Sequence, residues 1–154
     1  MAEEATTLLD KAIEIATEAH KDKVRKISKE PYIEHPKRIA QQCTSTIDKI
    51  IAWLHDVVED TDTTIADLER EGFQPAVIWA LQCLTRRNES YHYYITEKIV
   101  ANPAAIKIKI LDLEDNMSDL NEGSMRDKYR FAHQYLKGLN EFHGISSGQT
   151  MLHG

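Results

Sequence analysis

Residues 105–120 read AIKIKILDLEDNMSDL, and two periods compete in them. Ile106, Ile108 and Ile110 alternate with lysines, the pattern of a half-buried strand whose successive side chains point to opposite faces. Ile106, Ile110, Leu113, Met117 and Leu120 also recur every three or four residues and so line one stripe of a helix. No other segment offers a convincing partner strand. The spacing therefore predicts a helix, and with it an all-α fold.

The remaining segments read the same way. Leu8, Ala12, Ile15 or Ala16, and Ala19 mark a first amphipathic helix. The basic loop KDKVRKISKEPYIEHP (21–36) follows, with Pro31 and Pro36 bracketing an extended piece because a residue before proline is biased away from helix. Pro36 suits the first turn of a helix from Pro36 to Cys43. STIDKIIAWLHDVVED (45–60) reads as one helix from Ser45 or Thr46, apolar all round its middle and so central in the core. Thr63 or Thr64 caps a short helix through Arg70, ended by Gly72. Helices are expected again from Pro75, over ESYHYYITEKIVAN (89–102), and from Ser124 to Phe142. Residues 1–143 form one domain on this reading, and 144–154, GISSGQTMLHG, a flexible tail.

Bulk properties exclude several function classes. At 154 residues the chain is long enough to bury its own core, and 42% hydrophobic with 29% charged residues is ordinary for a globular domain. A net charge of −6 argues against a broad nucleic-acid surface, though not against a small anionic ligand in a local basic pocket. No apolar run reaches the roughly 20 residues of a membrane helix, and the N-terminus has no signal-segment pattern. Cys43 and Cys83 are isolated. These features together suit a cytoplasmic protein in a reducing compartment.

The chemistry gathers at AWLHDVVEDTDTT (52–64). On a helix, His55 and Glu59 are four apart, as are Asp56 and Asp60, so all four would share one broad face. Glu59 and Asp60 would then stand near a helix C-terminus, where the macrodipole disfavours carboxylates, with no Lys or Arg one turn away. A divalent cation would answer that imbalance. His55 and Asp56 are too few to hold one, and two further ligands are available: His35 in the extended loop, and Asp112 inside the apolar IKILDL. A carboxylate buried there is costly unless paired or metal-bound. Two imidazoles with two carboxylates suit Mn²⁺, Fe²⁺ or Zn²⁺ and are poorer for Ca²⁺. Lys109 offers Asp112 another partner, and EDTDTT also reads as an exposed helix end running into the next cap.

Three blocks, EPYIEHPKRIA, AWLHDVVEDTDTTIADL and KILDLEDNM, resemble the signature blocks of the HD-domain hydrolases of the RelA/SpoT class, and in size the chain resembles the small stand-alone alarmone hydrolases. The resemblance spans roughly Ala19 to Asn116. It implies a compact HD-domain helical bundle with His35, His55, Asp56 and Asp112 as ligands of a divalent metal, usually Mn²⁺. It further implies Glu59 and Asp60 as the pair that positions and activates water, Arg25 and Lys26 as nucleotide contacts, and Tyr32 and Asn116 as further pocket residues. The implied reaction removes the 3′-diphosphate of (p)ppGpp as pyrophosphate, and no synthetase half accompanies it.

Departures from the pattern fall around the expected nucleotide pocket. The loop RKISKEPY is one residue longer than is usual, with Lys29 where glycine is expected; Asp115 replaces His or Tyr, and Ser118 and Asp119 replace Arg and Thr. Two further readings follow: the same metal chemistry on another nucleoside phosphate or phosphorylated metabolite, or a non-catalytic nucleotide- or metal-binding regulator. The Glu59–Asp60 pair counts against the last, since a binder needs no water-orienting pair.

Overall fold

The computed structural model describes residues 2–149, which fold into helices joined by turns and one longer loop over residues 20–33. In chain order these are α1 (Ala2–Ala19), α2 (Glu34–Gln41), α3 (Thr46–Leu54), α4 (Val57–Asp60), α5 (Ile65–Arg70), α6 (Pro75–Leu84), α7 (Tyr91–Tyr93), α8 (Pro103–Ser118) and α9 (Ser124–Gln149). Among the described residues there is no strand, only an isolated bridge of Val24 with Pro31. Nor is any described helix long and apolar enough to cross a membrane.

The ambiguous stretch is helical. Asn102 caps α8 by accepting the Ala105 N–H at 2.9 Å, and Pro103 occupies the first turn, where its missing N–H is no loss. The strand-like alternation has a packing cause. Helix α8 touches α2, α3, α6 and α9, so Ile106, Ile108 and Ile110 are all buried although they do not share one stripe. Helix α3 is central, as its apolar circumference requires: it packs on α1, α2, α6 and α8, with Ile50, Ile51, Ala52 and Leu54 buried. Ser45 caps α3 and Thr64 forms a capping box with Asp67 on α5, while Gly72 takes φ +97° just past the end of α5.

Several boundaries differ from expectation. Residues 45–60 are not one helix: His55 and Asp56 form a turn between α3 and α4. The His55 ring N–H donates to the Ala52 carbonyl at 2.6 Å, competing for an acceptor that a continuing helix would use. His35 lies in the first turn of α2, which starts at Glu34, so the extended piece is shorter than Pro36 suggested. After α7 the chain widens to a π-turn at Tyr94–Lys98 and tightens to 3₁₀ at Ile99–Ala101. There Tyr94 and Lys98 are tied to the Leu84 and Thr85 carbonyls at the end of α6, and tertiary contact overrides the regular period. Helix α9 continues past Phe142 to Gln149; of the expected tail, residues 150–154 lie outside the described part.

The loop between α1 and α2 is pinned as a tight return, with Arg25 N–H on the Glu30 carbonyl at 2.9 Å and Tyr32 N–H on the Lys23 carbonyl at 2.8 Å. Its apex holds Lys29 at φ +64°, the left-handed region that disfavours any residue with a Cβ. That conformation explains why glycine is the expected residue there. Lys29→Gly should leave the urea midpoint unchanged or raise it, whereas Lys29→Val should lower stability by about 1 kcal/mol.

Candidate active site

Three segments of chain deliver four side chains to one point. His35 comes from α2, His55 and Asp56 from the turn between α3 and α4, and Asp112 from α8; one ligand atom from each lies within 4.8 Å of all the others. His35 Nε2 is 2.9 Å from Asp112 Oδ1 and 3.5 Å from Asp56 Oδ2. His55 Nε2 is 3.2 Å from Asp112 Oδ1 and 3.0 Å from Asp56 Oδ2. His35, His55 and Asp112 are buried, and Asp56 is partly so.

The outer nitrogens of both rings are engaged elsewhere. His55 Nδ1 donates to the Ala52 carbonyl, and His35 Nδ1 lies 2.6 Å from Asp115 Oδ2. A neutral imidazole has one N–H, so each ring then turns the Nε2 lone pair toward the centre. Lone pairs facing carboxylate oxygens at these distances repel unless something positive stands between them. A proton on each ring serves, and so does one divalent cation. The donor set of two nitrogens and two carboxylate oxygens fits such an ion.

Titration follows the same logic. Burial opposes the charged form of His35, but hydrogen bonds to Asp112, Asp115 and Asp56 outweigh it and raise the pKa to about 9. His55 is likewise raised against burial by Asp56 and Asp112. Burial pushes the two carboxylates up, yet His55 and His35 hold Asp56 well below its ordinary value, as Lys109 and both histidines do Asp112.

Neighbours brace the ligands. The Tyr32 hydroxyl donates to Asp56 Oδ2 at 2.5 Å, Asn116 Nδ2 to Asp112 Oδ1 at 3.1 Å, and Lys109 Nζ to Asp112 Oδ2 at 2.9 Å. Lys109, raised as an alternative partner for Asp112, is therefore a simultaneous one. Tyr32 and Asn116 also line a cleft of about 420 Å³ together with Arg25, Lys26, Lys23 and Asp60.

Glu59 and Asp60 lie outside the four-residue cluster. The break at His55–Asp56 removes the single helical face on which all four were expected. Asp60 Oδ2 pairs with Lys23 Nζ at 2.7 Å, a partner from the α1–α2 loop that residue spacing within the helix did not reveal. Glu59 accepts the Arg86 N–H. Although the residue is exposed, local desolvation raises the Glu59 pKa, against the pull of the Arg86 amide and with Asp56 and Asp60 adding to the rise.

Arg25 does not reach freely into the cleft. It is buried, with Nη1 2.5 Å from Asp115 Oδ2, Nη2 3.3 Å from Asn116 Oδ1 and Nε 3.4 Å from Asp119 Oδ2. Lys26 is exposed on the cleft wall. Sequence reasoning missed Lys23 and Asp115 as site residues. A helical spacing of three from Asp112 was the available signal for Asp115.

No family model matches the chain. It is 31% identical over 159 aligned positions to the human guanosine-3′,5′-bis(diphosphate) 3′-pyrophosphohydrolase MESH1, covering 90% of this chain and 88% of the human protein. The chain belongs to the MESH1 family. The Aquifex aeolicus guanosine-3′,5′-bis(diphosphate) 3′-pyrophosphohydrolase is 32% identical over 127 positions, 73% of this chain and 18% of that longer protein. A solved structure described as a metazoan ortholog of SpoT that hydrolyzes ppGpp superimposes with a TM-score of 0.69 at 24% identity, over 84% of this MESH1-family chain and 83% of its own. That likeness establishes the shared helical fold.

The raised His35 pKa has a measurable consequence. Because the folded value of about 9 exceeds the ordinary 6.5, protonation contributes stability below pH 6.5 that is lost as the pH climbs through 9. The protein without added metal should lose stability across that window, and affinity for an added divalent cation should rise across it as the proton leaves Nε2. Thermal melts with and without metal, and calorimetric titration in steps between those limits, check both; a flat affinity profile would contradict the assignment.

Proposed function

We propose that this protein is a metal-dependent guanosine-3′,5′-bis(diphosphate) 3′-pyrophosphohydrolase of the cytoplasm, with Mn²⁺ as its ion and Fe²⁺ or Zn²⁺ as substitutes. The observation that carries the reading is the convergence of His35, His55, Asp56 and Asp112 beside a cleft of nucleotide size, in a chain of the MESH1 family. Human MESH1 is named for that reaction.

In this reading His35, His55, Asp56 and Asp112 would hold the ion, which when bound would lower the pKa of water and polarise a phosphoryl oxygen. Glu59, with its raised pKa, takes the proton at Oε2, the oxygen left open by the Arg86 amide. Asp60 orients the water through Oδ1, while Oδ2 stays on Lys23. Tyr32 and Asn116 keep Asp56 and Asp112 aimed at the centre, and their outer edges face the nucleotide. Lys26 on the cleft wall supplies positive charge to the diphosphate, with Lys23 beside it on Asp60; Arg25 contributes by holding the loop, since its own guanidinium is engaged by Asp115 and Asp119.

That engagement of Arg25 favours a second reading, in which the same centre hydrolyses another nucleoside phosphate or phosphorylated metabolite. A panel of (p)ppGpp, nucleoside phosphates and sugar phosphates with added Mn²⁺, scored for phosphate and for pyrophosphate, separates the two. Pyrophosphate from (p)ppGpp alone is expected, and a metal-loaded protein that leaves (p)ppGpp intact would contradict the first reading. Asp56→Ala should abolish metal binding and turnover, whereas Glu59→Gln should retain metal and lower kcat by roughly 10²- to 10⁴-fold.

A further inference from the structure

Helix α8 presents two carboxylates to a single imidazole. Asp112 and Asp115 are three residues apart and so share a face. They meet His35 at opposite nitrogens: Asp112 Oδ1 is 2.9 Å from Nε2, and Asp115 Oδ2 is 2.6 Å from Nδ1. The ring itself is fully buried, so no solvent competes for either nitrogen. With Asp115 taking the Nδ1 proton, the neutral ring has its Nε2 lone pair directed at the centre.

The two histidines are anchored differently. His55 donates to a neutral backbone carbonyl on its own helix, Ala52. His35 is held by a charged carboxylate from a different helix, and that carboxylate is immobilised in turn. Asp115 Oδ1 accepts Arg38 Nε at 2.7 Å, and Oδ2 accepts Arg38 Nη2 at 3.0 Å and Arg25 Nη1 at 2.5 Å. Arg38 lies three residues after His35, so α2 grips Asp115 with two side chains one turn apart. Glu30 closes the network on Arg38 through bonds of 3.1 and 2.5 Å, and Asp119 closes it on Arg25. Asp119 Oδ1 also accepts the Ser28 N–H at 3.0 Å, which ties the apex of the loop to the end of α8. Two arginines around one carboxylate keep it ionised, and an ionised partner makes the imidazole a stronger donor through Nε2.

We propose that Asp115 is a positioning residue of the reaction: it acts through His35, selecting the ring tautomer and orientation that ligate the ion. It thereby couples the metal centre to the α1–α2 loop through Arg25. The inference rests on the metal-dependent reading above, and its test has a readout independent of that reading.

The experiment compares wild type with Asp115→Leu, Asp115→Asn and the control Glu30→Gln, which removes a charge from the same network without touching His35. Nitrogen NMR of the metal-free proteins reports which His35 nitrogen carries the proton once the ring is neutral. Wild type and Glu30→Gln should hold it on Nδ1, and Asp115→Leu should distribute it over both. Direct Mn²⁺ titration should show affinity weakened about 10- to 100-fold in Asp115→Leu and to a lesser extent in Asp115→Asn, with Glu30→Gln unchanged. Saturating Mn²⁺ should restore most of kcat, since the defect lies in holding the ion. An unaltered tautomer and unaltered affinity in Asp115→Leu would overturn the proposal; if that variant does not fold, the same result in Asp115→Asn would do so. A tautomer shift in a protein that binds no ion even as wild type would uphold the positioning and overturn the metal reading instead.

Discussion

Burying the carboxylate of Asp112 is the constraint on which the rest of this structure depends. Its side chain is nearly inaccessible, yet the charge survives because Lys109 grips one oxygen while His35, His55 and Asn116 converge on the other. An isolated carboxylate at such a position would be neutralised or would destabilise the fold by several kcal/mol. Satisfying it requires α2, α3 and α8 to approach one another at one level, and the apolar faces of α3 and α8 are what bring them there. The core and the site are therefore one construction.

The site also reshapes the helices that build it. A continuous helix through residues 45–60 would keep the Ala52 carbonyl for its own ladder, but the His55 ring takes that acceptor. At the resulting turn Asp56 Oδ2 stands 3.0 Å from His55 Nε2. Helix α4, only four residues long, then carries Glu59 and Asp60 to the rim, where an amide and a lysine from other segments meet them. The charge imbalance foreseen at a helix C-terminus is real, but it is relieved in part by Lys23 from a loop 37 residues away in sequence.

Much of this was legible beforehand because it rests on local rules. The start at Ser45 or Thr46, the Thr64 cap, the start at Pro75 and the stripe of Ile106, Ile110 and Leu113 all act within a turn or two of chain, and they place the helices. His55, Asp56 and Asp112 were legible because chemically unusual residues sat at the end of or within apolar segments, and His35 as the histidine of the extended loop before Pro36. What stayed hidden depends on contacts across the fold. Arg25 looked like a free phosphate contact because nothing near it in sequence shows the carboxylates of Asp115 and Asp119, which lie about 90 positions on. Asp115 looked like an altered pocket residue, whereas it faces the outer nitrogen of His35. The glycine missing at Lys29 was visible as an anomaly, but its left-handed backbone needed the closed loop to explain it.

His35, His55, Asp56 and Asp112 are proposed to share one ion. Crystals grown with Mn²⁺ and measured on both sides of the manganese absorption edge test it directly. A single anomalous peak at about 2.0–2.3 Å from His35 Nε2, His55 Nε2, Asp56 Oδ2 and Asp112 Oδ1 is the predicted result. Manganese absent from that point while the four side chains keep their arrangement, or bound only elsewhere on the surface, would contradict it.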